Sequence, residues 1–211
     1  MSRSASLRRA LPLALLALTL TASGIATVRA AADASWFPDG SHTEINFSVK
    51  HFFTPVTGNF DRYEVDLDYD AEHPEKSSVK VRIEVASVNT GNAERDQHLR
   101  TIDFFDADAH PEMTFRSTSV RMVGKDQLIA TGPLTIKGIS REIELPISLL
   151  GTKAIPAEMQ PMLGGAKQVA SFRAGTTIDR GDFEVGTGSW AATLVVGSQV
   201  DIEILLEVHN R

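Results

Sequence analysis

Apolar and polar residues alternate strictly along much of this chain. A period of two fits one kind of element, a β-strand with one buried face. In the first such run Ile45, Phe47 and Val49 fall on one side, with Glu44, Asn46, Ser48 and Lys50 opposite. Next, Tyr63, Val65, Leu67 and Tyr69 alternate with Glu64, Asp66, Asp68 and Asp70. After a turn at His73-Pro74, Val79, Val81, Ile83 and Val85 alternate with Lys80, Arg82 and Glu84. A hairpin of these two strands would set Asp66 and Asp68 against Arg82 and Lys80, a pairing of opposite charges that helps fix register.

Further strands follow. One begins at Met113 and Phe115, and its phase slips before Val120 and Met122, which predicts a β-bulge. Leu128, Ala130, Leu134 and Ile136 form another, closed by a tight turn at Lys137-Gly138. Ile143 to Leu149, Ala170 to Ile178 and Val200 to Val208 alternate in turn. Two segments break the rhythm. Residues 92–102 read as a short helix capped by Asn92, and residues 151–168, with two prolines and two adjacent glycines, read as a long loop or lid. The fold class expected is all-β: an antiparallel barrel or sandwich with one short helix. A barrel of about eight strands is wide enough to be filled by side chains or to hold one small ligand.

The start of the chain has the pattern of a secretory leader. Arg3, Arg8 and Arg9 precede an apolar run at 11–20, and small residues at 30–32 suit cleavage after Ala30 or Ala32. The expected division is a signal peptide at 1–32 and one domain at 33–211, placed in the periplasm. Four of the 21 basic residues and none of the 27 acids lie in the leader, so the mature chain sets 17 bases against 27 acids, a net charge of −10. Such a charge disfavours non-specific contact with nucleic acid. The chain has no cysteine, which excludes disulfides, thiolate metal sites and a cysteine nucleophile.

The order and spacing of several short runs resemble the YceI-like family across nearly the whole mature chain. They are Asp39-Gly40-Ser41-His42 leading into Ile45, Phe47, Val49 and His51; Gly58-Asn59-Phe60; Asn89-Thr90 and Glu94-Arg95-Asp96-Gln97-His98-Leu99-Arg100; Asp103-Phe104-Phe105-Asp106; His110-Pro111-Glu112-Met113-Thr114-Phe115; Gly132-Pro133-Leu134-Thr135-Ile136-Lys137-Gly138; and Ile178-Asp179-Arg180. The resemblance implies a lipocalin-like antiparallel barrel with an elongated cavity that binds polyisoprenoid lipids, including quinone-like and prenyl-phosphate molecules. The chain departs from the family at Gly197-Ser198-Gln199 and at Lys137, where the family more often has an acid or Asn and a His. Both positions bear on head-group preference and not on the fold.

On that basis Phe47, Val49, Tyr63, Val65, Leu67, Val81, Ile83, Leu99, Phe104, Phe105 and Phe115 are expected to sheathe a lipid tail, with Arg95 or His98 at its polar head. From periodicity alone the same stripes read first as a packed core rather than a cavity, and Arg95 reads as a brace at a barrel end. Asp96 and Arg100 are expected to pair on the helix surface. Trp190 would cover the cavity mouth or pack on its edge. His42 and His51 fall on opposite strand faces, and Asp106, Asp108 and His110 have the composition of an acidic turn, so no metal centre is expected. The leading expectation is a non-enzymatic carrier whose bound group is an isoprenoid or quinone-like lipid. The rivals are an enzyme using Asp96 and His98 as acid and base, and a partner of a membrane redox protein; a homodimer is left open.

Overall fold

The structure is a computed structural model that describes residues 36–191 and 194–210; the expected leader at 1–32 lies outside them. The strands are β1 (Trp36–Pro38), β2 (Glu44–His51), β3 (Thr54–Phe60), β4 (Tyr63–Asp68), β5 (Ser78–Glu84) and β6 (Val88–Asn89). Helix α1 (Ala93–Leu99) follows, then β7 (Glu112–Arg116), β8 (Ser119–Gly124), β9 (Gln127–Ile136), β10 (Ile139–Ala154), β11 (Gln168–Asp179) and β12 (Val196–Asn210). All pairings are antiparallel, in the order β4-β5-β7-β9-β10-β11-β12-β2-β3-β6, with β1 on β12 and β8 on β9.

Chain continuity turns this sheet into a barrel. β3 and β4 are one run, bent at Asp61-Arg62, whose first half pairs with β2 and whose second half pairs with β5. β5 and β6 follow that bend: Glu84 N–H donates to Arg62 O (3.0 Å), Asp61 N–H donates to Ser87 O (3.1 Å), and β6 pairs with the end of β3. β7 and β8 likewise share one edge of β9, and β1 and β2 one edge of β12. The wall therefore has about eight staves, the number that the alternation suggested. Side chains reinforce the join. The Tyr63 hydroxyl donates to Thr43 O, and the Trp36 indole N–H donates to Tyr69 O at 2.9 Å.

The strand faces follow the alternation, but the register of β4 on β5 does not. Glu64 opposes Arg82, Asp66 opposes Lys80 and Asp68 opposes Ser78, two residues away from the expected pairing. Acids at every second position allow both registers, and a slip of two keeps every side chain on its own face. The turn decides. Asp70 accepts from the N–H groups of Glu72 and His73, and the Ser77 hydroxyl accepts from Asp70 N–H, which fixes where β5 starts. The ion pairs Lys80–Asp66 (3.2 Å) and Arg82–Glu64 lie on the outer, exposed face.

The expected bulge after Phe115 is present as a break at Ser117-Thr118, with one more residue on the β7–β8 side than on β9 between Phe115↔Leu134 and Ser119↔Thr131. A second irregularity was not foreseen. Leu150 is an extra residue in β10 between Leu149↔Phe172 and Gly151↔Ser171, and it points outward, 61% exposed. Alternation ends at Leu149 because of this bulge. The strand itself runs on to Ala154, so the connection to β11 covers 155–167 and is shorter than the loop expected over 151–168. The helix is also shorter than 92–102. Asn92 caps it as expected, accepting from Arg95 N–H at 3.0 Å, and it ends at Leu99. At the β9–β10 hairpin Lys137 and Gly138 both have positive φ (51° and 75°), the two-residue turn that matches strand twist.

Gly132 lies where β9 passes the β7–β8 break. A Cβ there would overlap the Arg116 carbonyl oxygen and press on Ser117 Cα, both backbone atoms. Gly132→Ala is expected to cost about 2 kcal/mol through overpacking, read as a lower urea midpoint at unchanged m-value. An unchanged midpoint would show that the break relaxes freely.

Candidate functional site

The inward stripes do not meet at the barrel axis. They surround a cavity of about 250 Å³ to which every stave contributes, from Leu67, Leu128, Phe172 and Leu206 at one end to Leu99, Phe104, Phe183 and Val196 at the other. Only Asn46, Tyr69, Ser77, Ser78, Thr176 and Arg180 among the lining residues have polar side chains. A smaller apolar cavity of about 150 Å³ stays dry and accepts a benzene-sized guest, so a space this large and this apolar is suited to hydrocarbon rather than water.

The two ends are built differently. Trp36, Tyr69 and Phe172 pack across one end, tilted and then edge-on, with ring centroids 5.6 and 5.0 Å apart along the series. Burial pushes the Tyr69 phenol up from its ordinary pKa. At the other end the segment after α1 turns inward. Phe104 is buried, Phe105 is half-buried, and the Phe60 ring meets Phe105 at 6.1 Å.

Arg180 is the charged group of this second end, 6% exposed at the tip of β11. Its Nε donates to Gly197 O (2.9 Å). Nη1 donates to Val185 O (2.7 Å) and Gly186 O (2.6 Å), and Nη2 to Trp190 O (2.8 Å) and Val196 O (3.1 Å). A guanidinium has five N–H donors, and here all five meet backbone carbonyls. Burial lowers the Arg180 pKa, while neighbouring Asp179 raises it. The side chain ties Val185, Gly186, Trp190, Val196 and Gly197 to the barrel end and leaves a positive charge beside an apolar cavity. Gly186, at φ 69°, has no room for a Cβ because Arg180 Nη1 lies 2.6 Å from that position.

Ten of the thirteen residues expected at the site line the cavity: Phe47, Val49, Val65, Leu67, Val81, Ile83, Leu99, Phe104, Phe105 and Phe115. Tyr63 does not; it packs on the core and its hydroxyl serves the wall at Thr43 O. Arg95 is exposed and braces the loop before the helix, with Nε to Thr90 Oγ1 (2.7 Å) and Nη2 to Thr90 O (2.9 Å). His98 also lies outside the lining. Its Nε2 is 3.1 Å from Asp103 Oδ2, and its ring meets Phe104 and Trp190 edge-on at 5.1 and 5.0 Å. Asp96 does not pair with Arg100: it is buried and accepts from Thr90 N–H (2.9 Å) and Thr90 Oγ1 (2.6 Å), while Arg100 donates to Val88 O (3.2 Å). Asp96 and His98 therefore do not converge on the cavity as an acid–base pair. Trp190 packs at the edge of this end, outside the lining.

The Arg180 cluster was not singled out from sequence beyond its place in the family pattern. The available signal was an arginine directly after an alternating strand and before Gly181, Gly186 and Gly188, glycines that let backbone carbonyls approach it closely. Replacing Arg180 by Met is expected to destabilise the protein by about 3 kcal/mol or more, because several carbonyls lose their donor together. Arg180→Lys, with three donors, should recover part of this. Amide hydrogen exchange should locate the loss in 181–197; uniform protection there in Arg180→Met would contradict the pinning role.

The model of the YceI-like domain matches residues 36–208 of the chain. The protein YceI of Shigella flexneri is 33% identical over 174 residues, spanning 82% of this chain and 86% of that protein. A UPF0312 protein of Ectopseudomonas mendocina is 34% identical over 173 residues, with the same two shares. Among solved structures, Burkholderia cenocepacia BcnA superposes with a TM-score of 0.72 at 26% identity, over 81% of this chain and 99% of that one. A polyisoprenoid binding domain from Saccharophagus degradans shares the fold at a TM-score of 0.59 and 14% identity, over 84% and 99% of the two chains. With the barrel, its cavity and these matches together, the chain belongs to the YceI-like family.

Proposed function

We propose that this protein is a periplasmic carrier that holds the tail of a long-chain isoprenoid lipid inside its barrel. One observation carries the reading: a cavity that spans the barrel from the Phe172 end to the Arg180 end, with an almost wholly apolar lining. Burying hydrocarbon there contributes about 25 cal/mol per Å², less the costs of association and ordering, so retention requires no chemistry from the walls. The structural relative described as polyisoprenoid binding supports the same class of ligand. In this reading the head group lies at the Arg180 end. There a buried positive charge attracts an anionic or electron-rich head, while its saturated donors leave orientation to shape. The leader-like pattern at 1–32 supports export.

Val81 lines the cavity from β5, and Val123 lies outside it on β8, 52% exposed. Val81→Trp should fill part of the tail space. It is expected to weaken uptake of a fluorescent prenyl-chain probe at least tenfold while the thermal midpoint holds, and Val123→Trp should bind as the parent does. Equal affinity in Val81→Trp would place the tail somewhere other than the barrel.

A further inference from the structure

Two carboxylates and two imidazoles meet at the opposite end of the barrel, on the outer side of β12. His42 Nδ1 lies 3.0 Å from Asp39 Oδ2 and 3.7 Å from Glu207 Oε1. His209 Nε2 faces the same two oxygens at 3.8 and 3.3 Å. We propose that Asp39, His42 and Glu207 bind a divalent transition-metal cation of the zinc class, with His209 beside them facing both carboxylates.

Three features support a built site. The first is spacing. Zinc binds imidazole nitrogen and carboxylate oxygen at about 2.0–2.2 Å, so tetrahedral ligand atoms sit about 3.3 Å apart, close to the separations here; the His42, Asp39 and Glu207 ligand atoms all lie within 4.8 Å of one another. The second is the outer layer of hydrogen bonds. Asp39 Oδ1 accepts from Ser41 N–H (2.8 Å) and Glu207 Oε2 from the Ser171 hydroxyl (3.3 Å), so each carboxylate has one oxygen held and turns the other towards the imidazoles. Such partners orient ligands in metal sites. The third is charge. Among the described residues no lysine or arginine pairs with Asp39 or Glu207; the imidazoles of His42 and His209 face them instead, and neutral imidazoles leave the two negative charges for a bound cation to balance.

A donor set that mixes an imidazole nitrogen with two carboxylate oxygens suits zinc better than magnesium or calcium, which take all-oxygen shells. The backbone already joins the same parts of the chain. Asp39 N–H donates to Glu207 O (2.9 Å), and the Thr43 hydroxyl donates to that oxygen at 3.4 Å. A bound cation would clip the 39–43 turn to the last strand, at the end away from Arg180. This site is independent of the lipid.

The test is to titrate Zn²⁺ into the full chain by calorimetry and to follow the thermal midpoint with rising zinc. One ion per chain is expected, with a midpoint that climbs as zinc exceeds its dissociation constant. Both responses should disappear in His42→Gln and in Glu207→Gln, weaken at least tenfold in His209→Gln, and persist in His73→Gln, whose exposed imidazole lies at the β4–β5 turn. Because the His42 side chain is 65% exposed, His42→Gln leaves the core untouched. No heat and no rise up to millimolar zinc, or the parental response in His42→Gln and Glu207→Gln, would overturn the assignment.

Discussion

Closure of the hydrogen-bonded wall is the constraint on which the rest of this protein depends. Each stave finds both neighbours, because the bent run 54–68 belongs to both ends of the sheet and β5–β6 tracks it across the bend. Backbone groups buried without partners are costly, and a closed barrel provides partners all round without asking the interior to supply any. The inward face is therefore free to be uniformly apolar. A sandwich of the same strands would press two such faces together and fill the space. Here the faces stay apart around the axis, and the cavity is a consequence of closure at this strand number.

Closing a wall still leaves two ends, and the chain treats them by different physics. At one end the rings of Trp36 in β1, Tyr69 just after β4 and Phe172 in β11 pack across the opening, held by apolar contact and by the Trp36–Tyr69 hydrogen bond. At the other, a cation organises irregular backbone. Five carbonyls, from residues 185, 186, 190, 196 and 197, converge on Arg180, so these positions are held by polar contacts that depend on one side chain. That end combines this polar network with Leu99, Phe104 and Phe105 of the cavity lining. The exterior follows a third rule: its ion pairs, such as Arg121–Glu144 at 3.0 Å, are exposed and add little stability beyond register.

Strands were legible wherever alternation ran unbroken, as in β2, β4, β5 and β9. It failed where backbone irregularity intervened. The bulge at Leu150 concealed the last part of β10, and β3, with Pro55 and Gly58 among small polar residues, carries no stripe that a period of two would reveal. Cavity residues were read well because strand parity decides which face a side chain takes. The polar candidates were read less well. Helical spacing shows which residues of 93–99 share a face but not which face meets the barrel, so Leu99 points in while Arg95 and His98 serve neighbouring loops. Arg180 depends on the backbone geometry of the segment that follows it, and the Asp39–His42–Glu207 group on contacts across more than 160 residues, neither of which one sequence displays.

The most direct test of a lipid-filled barrel is native mass spectrometry of the protein taken from the compartment in which it accumulates, followed by organic extraction of whatever remains bound. A stoichiometric adduct whose fragments step by isoprene units is expected, and its mass would identify the tail and head together. A bare protein mass, with no tail-sized lipid retained after incubation with candidate isoprenoids, would contradict the carrier reading and leave the cavity without that role.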